Sequence, residues 1–397
     1  MENNRVLWLK VWSIAAVQGA ITLSWVIYNL YLSRLLVQLG LTEQVAIAIL
    51  IGENALEAII EPVFGGFSDR QQRFLGNRTP IIILGIILSS ALFLAILSVV
   101  IFNSSGWLLI VLAVAWASAM AIFRSPTMAL LGRCAPTNLL PQAASVLSLV
   151  GGVIGAFRFD AYGIILKMGA GFAFALGSFS LLAAGAFLRW LNPPEVATGI
   201  KHRSSKISRS RLSLIFVTGI GMGWSLRFLI PTISKVLSLQ LGQDNSKIVM
   251  TLFFVALGLM ALPAGKIGTK LGNCSAMIWG ALITILGLIL FVLAPSLIVK
   301  YIAIAFLVMA YSLVLNGTIP LALSLVNLSH SGLATGMYFG GLNAGISLFE
   351  FIFFKLGKAD ISQSTTGTIL SLLLVLICLI VSQDLFKNNS VKITNNY

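Results

Sequence analysis

The sequence predicts an all-α membrane protein of twelve transmembrane helices, arranged as two related six-helix halves. Composition is the first reason: 58% of the 397 residues are hydrophobic and only 10% are charged, against about 25% charged in soluble domains. Segmentation is the second. Apolar runs of roughly 20 residues, the length a helix needs to cross a bilayer, recur along the whole chain, and Pro80 to Phe102 holds 23 residues without one ionisable group. The third is an internal repeat, visible where the first six runs are laid over the last six.

Spans are expected near 11–36, 44–66, 80–102, 107–130, 140–165 and 171–191, and again near 212–237, 247–265, 274–294, 297–318, 331–354 and 366–384. The N-terminal half is thus 1–191 and the C-terminal half 212–397. Between them lies a basic, serine-rich linker, 192–211, carrying Lys201, Arg203, Lys206, Arg209 and Arg211. With the N-terminus inside, 16 of the 26 Lys and Arg residues fall on cytoplasmic segments, so the positive-inside rule favours both termini in the cytoplasm; a plasma (inner) membrane is the expected location. The first apolar stretch follows Arg5 and Lys10 but is long, carries polar residues and has no cleavage site before a soluble domain. It is therefore expected to stay as helix 1 rather than act as a signal peptide.

The repeat is carried by short motifs. Glu61-Pro-Val-Phe-Gly65-Gly-Phe-Ser-Asp69-Arg70 has a counterpart in Leu262-Pro-Ala-Gly265-Lys-Ile-Gly-Thr269-Lys270, Trp25 matches Trp224, and Pro126 with Gly151-Gly152 matches Pro320 with Gly340-Gly341. Parallel six-helix repeats are one way in which secondary transporters build a central substrate site between halves. The glycine pairs equally suit close helix packing.

Several other classes find no support. Cys134, Cys274 and Cys378 are far apart and lack pairing or metal-ligand spacing, so they read as free thiols. The net charge of +14 sits in short loops rather than in an aromatic-basic module, which argues against a nucleic-acid partner. No nucleotide-binding loop, zinc motif or nucleophile elbow is present, and His330 has no neighbour that would make it a metal ligand or a base. An enzyme is not expected, nor a cofactor or metal.

Gly66-Phe-Ser-Asp69-Arg70, followed by Arg73, Gly76 and Arg78, resembles the loop signature between helices 2 and 3 of the major facilitator superfamily. There an acid at a helix end and nearby arginines can form a cytoplasmic latch; the same arginines would also serve as positive-inside anchors. Just before it, Glu57-Ala-Ile-Ile-Glu61-Pro62-Val-Phe-Gly65 resembles helix 2 of the sugar-cation symporters of the melibiose permease kind, and Gly76-Asn-Arg78-Thr-Pro80 resembles the sucrose-transporter branch. The resemblance implies that Glu57 and Glu61 help bind a coupling cation. One departure stands out: Arg124-Ser125-Pro126 puts an arginine where sodium-coupled members carry an acid. Ala144 stands where the sugar-contacting arginine of helix 5 would be.

Charged residues inside the spans mark the candidate site, because ionisable groups at bilayer depth are costly and cluster at functional positions. Glu53, Glu57 and Glu61 recur at i, i+4 and i+8, so helical periodicity sets them on one face, with Glu53 expected near mid-depth and Glu61 near the cytoplasmic end. Three like charges cannot all ionise cheaply in a low dielectric, so one is expected to hold a proton or meet a cation; satisfaction by a neighbouring helix is the structural alternative. Arg124 would hold one glutamate ionised and make protons the coupling ion. Arg227, four residues before Pro231, is a candidate group for an anionic or polyhydroxy substrate, or else an ion pair across the halves. Trp25, Tyr28, Asn29 and Trp224 sit deep enough to contact substrate, or simply to pack. Arg158, Asp160 and Glu350 lie toward the outer side as an external gate or anchor, beside Asp69, Arg70, Arg73 and Arg78 at the inner one.

These observations point to a secondary active transporter of a small polar solute, a sugar or glycoside among the options, proton-coupled and functional as a monomer in the lipid bilayer. The alternatives are a non-transporting protein of the same fold that assists pigment or protein assembly, and a drug efflux carrier with a largely apolar cavity.

Overall fold

The computed structural model describes residues 5–102, 105–158, 162–191, 208–357 and 359–394. Twelve long helices account for most of them: α1 (Trp8–Gln38), α2 (Glu43–Leu75), α3 (Thr79–Ile101), α4 (Gly106–Ala129), α5 (Leu140–Gly155), α6 (Gly169–Leu191), α7 (Arg209–Leu241), α8 (Gln243–Leu271), α9 (Asn273–Leu293), α10 (Leu297–Ser324), α11 (Ser331–Leu356) and α12 (Ile361–Thr394). Among the described residues, eleven helices are long and apolar enough to cross a membrane, and α2 is the exception. At 33 residues it has ample length; the charges of Glu53, Glu57, Glu61, Asp69 and their neighbours make it too polar by composition alone. The chain is a multi-pass integral membrane protein.

Helix ends follow local chemistry. Ser105 caps α4 by accepting from the Trp107 amide at 3.3 Å, satisfying one of the donors that every helix start leaves open. α2 stops at Gly76, whose φ of 72° is the left-handed conformation that glycine adopts without strain, and the Gly76 amide closes onto Gln72 O at 2.9 Å. The fifth span is shorter than its apolar run suggests. α5 ends at Gly155, a 3-10 turn covers Ala156–Arg158, and a separate short helix follows at Tyr162–Lys167. Three glycines in five residues, Gly151, Gly152 and Gly155, lower helix propensity just where the run was expected to continue to residue 165.

The two halves share one architecture. In the N-terminal half α1 packs on α5 and α6, α3 on α4 and α6, and α2 on α4. In the C-terminal half the same contacts recur six helices later, α7 on α11 and α12, α9 on α10 and α12, and α8 on α10. The most extensive packings between the halves are α2 with α11 and α5 with α8, with α4 on α11 and α5 on α10 beside them. The first brings backbones together along a glycine edge of α11: a Cβ on Gly332, Gly336 or Gly340 would lie 2.4 Å from Gly65 O, 2.4 Å from Glu61 O or 2.8 Å from Ala58 O. Small residues at such positions are what lets membrane helices approach closely. Gly341 packs instead on Phe216 of α7, and Gly152 on Gly258 of α8, whereas Gly151 has no atom nearer than 3.7 Å to its would-be Cβ. Most of the linker, 192–207, lies outside the described residues.

Candidate functional site

The acid stripe of α2 is buried between α1, α4 and α11, with Glu53, Glu57 and Glu61 1%, 2% and 0% exposed. Because α2 extends to Leu75, Glu57 and Glu61 straddle its midpoint. Burial of carboxyl groups in an apolar medium requires partners, and α4 supplies them. Arg124 donates from Nε to Glu61 Oε1 at 2.6 Å and from Nη2 to Glu57 Oε2 at 3.0 Å, while the Ser125 hydroxyl donates to the other Glu61 oxygen. Pro126 directly after this pair restricts the local backbone. Arg124 also stacks on Phe339 of α11, 4.8 Å from the ring centre.

The opposite half completes the cluster. Asn343 of α11 donates to Glu57 Oε2 at 2.7 Å, so that oxygen is shared between an arginine of one half and an amide of the other. Thr335 bonds Ser125 O at 3.0 Å, and Ser347 bonds Ile51 O at 2.9 Å. Glu53 stands apart: the Tyr28 hydroxyl donates to one oxygen, and the second has no protein partner. Tyr28 itself is held in an aromatic column, with its ring centre 4.4 Å from that of Trp116, which in turn stacks on Phe93 at 4.9 Å.

At the end of the bundle where α2 finishes and α11 begins, the halves are latched. Asp69 accepts from the backbone amides of Gly332 and Leu333 at 2.9 and 2.8 Å, a negative charge on the first turn of a helix in the other half. Arg78 pairs with Asp69 and donates to Ser331 at 2.9 Å. Arg70 and Arg73 are exposed at the surface.

Toward the other end the halves separate around a cavity of about 590 Å³, a size typical of small-molecule sites. Glu57 and Arg124 line its floor, Trp25 and Asn29 of α1 one side, and Arg158 and Arg227 its upper walls. Arg227 pairs with Glu350 within the C-terminal half, joining two residues that the sequence had placed in different roles. Arg158 lies over the Phe254 ring at 5.5 Å. Asp160 is outside the described residues. Tyr28 and Trp224 do not line the cavity: Tyr28 is on Glu53, and the Trp224 indole donates to Gly345 O at 2.8 Å.

Sequence reasoning missed Asn343, Ser125 and Phe339. Only Asn343 had a usable signal, a lone amide in a glycine-rich apolar span.

The sequence profile of the Major Facilitator Superfamily matches residues 14–349. The chain belongs to that superfamily. Solved members share its fold: the E. coli fucose:proton symporter FucP in the outward conformation (TM-score 0.73, 10% identity, covering 94% of this chain and 98% of that one), a bacterial homologue of the iron transporter ferroportin in an outward-facing state (0.73, 15%, 94% and 99%), and the proton:xylose symporter XylE (0.72, 12%, 95% of each). No curated protein matches the chain by sequence. At these identities the structural likeness of this superfamily member to FucP, XylE and the ferroportin homologue speaks for fold alone.

Proposed function

We propose that this superfamily member is a proton-coupled secondary transporter of a small polar solute, working by alternating access around the central cavity. Glu53, Glu57 and Glu61 with Arg124 are its coupling groups. Asp69 with Arg78 forms the cytoplasmic gate, Arg70 and Arg73 flanking it, and both termini are cytoplasmic, so the described state is open to the outside.

The observation that carries the reading is the arrangement around Arg124. One guanidinium bonds both Glu57 and Glu61, and Ser125 takes the remaining oxygen of Glu61. Sodium needs several free oxygen ligands, and this arrangement leaves Glu57 Oε1 alone without a protein partner in that pair. A proton needs one. Glu57 is reached from the cavity and is bonded by both halves through Oε2, so a proton on its carboxyl removes the charge that strengthens the bonds holding the halves together. A proton there acts on the same interface that must open. The proton symport printed for FucP and XylE agrees with this choice.

The test uses purified protein in proteoliposomes containing a pH-sensitive dye, challenged with panels of sugars, amino acids and organic acids. The expected result is solute-dependent proton movement, indifferent to sodium and lost in Glu57→Gln. Accumulation driven by a sodium gradient at fixed pH, or no solute-dependent proton movement across the panels, overturns the proposal.

A further inference from the structure

We propose that the cavity takes a small amphipathic organic anion, its charged head bridging Arg158 of the N-terminal half and Arg227 of the C-terminal half and its apolar body lying against Phe157, Phe254 and Ile230. This rests on the carrier reading above and names the substrate class that the sequence left open, and it moves Arg158 from a gate to the binding site.

Charge is the first argument. Arg158 and Arg227 line the same cavity from opposite halves and are close enough to repel each other. Glu350 answers one of these charges, on Arg227; the guanidinium of Arg158 meets an aromatic face, and its residue is exposed. Like charges facing one another across a cavity with low-dielectric walls are relieved by an anion between them, and such a cavity concentrates anions. A polyol leaves the repulsion in place and a cation adds to it.

Exposed guanidinium surface gives the second argument. Beyond its pair with Glu350 the Arg227 side chain stays 42% exposed on a residue that lines the cavity. A guanidinium edge fits the two oxygens of a carboxylate or phosphate head in a bidentate manner. The remaining walls, with Leu30, Leu50, Leu226, Pro231 and Leu342 beside the three residues already named, are apolar and too extensive for a purely hydrophilic ion.

The same geometry makes closure conditional on cargo. When the outer ends of the halves approach, Arg158 and Arg227 approach too, and an anion between them turns a repulsive contact into an attractive one.

The experiment measures binding to the purified full-length protein, by tryptophan quenching and thermal shift, of carboxylates from acetate to naphthylacetate together with their amides and the matching amines. The expected result is saturable carboxylate binding that tightens with the apolar body, with amides at least tenfold weaker. Arg158→Gln should lower carboxylate affinity at least tenfold and Arg158→Lys less. The double variant Arg227→Gln/Glu350→Gln, which leaves no unpaired carboxylate behind, should do the same as Arg158→Gln. Equal affinity for the amides, unchanged affinity in Arg158→Gln, or no saturable carboxylate binding overturns the anion assignment. Gradient-driven flux of a neutral solute without carboxylate binding keeps the carrier and removes the anion site. Carboxylate binding without gradient-driven flux of any solute does the reverse.

Discussion

The two most extensive contacts between the halves, α2 on α11 and α8 on α5, occupy equivalent places in the repeat and are built from opposite chemistry. When Pro62 of α2 is aligned with Pro263 of α8, Glu53, Glu57 and Glu61 fall on Phe254, Gly258 and Leu262. When Pro126 is aligned with Pro320, Arg124 falls on Thr318. Where α2 meets α11 through Glu57 and Asn343, α8 meets α5 through Gly258 pressed on Gly152. The other side keeps hydrogen bonds, from Asn316 to Pro141 O at 2.8 Å and from Ser148 to Asn316 at 3.1 Å, and the charge described on it, Arg158 over the Phe254 ring, is a guanidinium that does not titrate. One architecture thus carries a seam whose strength depends on protonation and a seam whose strength does not. In the proposed carrier cycle the halves move on the indifferent seam while the other sets when they move.

This contrast can be broken or sharpened by mutation. The largest effect is expected from Arg124→Met, which strands Glu57 and Glu61 in the interior; losing one partner of a buried ionic cluster costs about 3–5 kcal/mol. Thermal unfolding in detergent should show it, and adding Glu57→Gln and Glu61→Gln should recover most of the loss. If the triple variant melts as low as the single one, charge is not what Arg124 contributes.

The next effect belongs to the indifferent seam. Gly152→Ala would place a methyl 2.6 Å from the Gly258 Cα, and such overpacking costs about 1–3 kcal/mol. Gly151→Ala, one residue away with its nearest atom at 3.7 Å, should stay within about 0.5 kcal/mol of the parent. Similar melting temperatures for the two variants would show that α5 and α8 are not in register as described.

The smallest difference compares the two amides. Asn343→Leu removes a hydrogen bond to a carboxylate, worth about 1.5–3 kcal/mol, and Asn316→Leu removes neutral ones, worth about 0.5–1.5 kcal/mol each. The sharper readout is pH: the Asn343→Leu penalty should shrink as the medium is acidified and Glu57 gains a proton, whereas that of Asn316→Leu should not change. A pH-independent Asn343→Leu penalty would place Glu57 in one protonation state throughout.

Much of this was legible beforehand because its causes are local. Apolar runs place the starts of α1 to α12 within five residues, while the ends of α2, α5, α8, α10 and α12 miss by six to ten; the four-residue spacing of the glutamates sets them on one face, and the acid before Arg70 lies in the last two turns of α2. Partnership was less legible, since it depends on tertiary packing. Glu57 and Asn343 are 286 residues apart, and Arg227 and Glu350 123 apart, with no local pattern to couple them. The end of α5 was misjudged because apolar content persists beyond Gly155 while helix propensity does not. Trp224 illustrates the ambiguity of aromatics, since depth in the bilayer is the same for a ring that faces cargo and one whose indole serves a carbonyl.

The polarity of α2 has a consequence for how the chain is made. Ribosomes deliver helices to the membrane in order, and a carboxylate at the centre of a lone helix opposes insertion by roughly 2.5–3.5 kcal/mol. α2 arrives with Glu53, Glu57 and Glu61 before α4 has brought Arg124, and long before α11 has brought Asn343. During that interval it has α1, and Tyr28 for Glu53, but no cation for the other two. The nascent helix must therefore wait in the shelter of the insertion machinery, or enter protonated, until its partners are synthesised. Biogenesis of this protein should depend on that shelter more heavily at α2 than at any of the other eleven crossings.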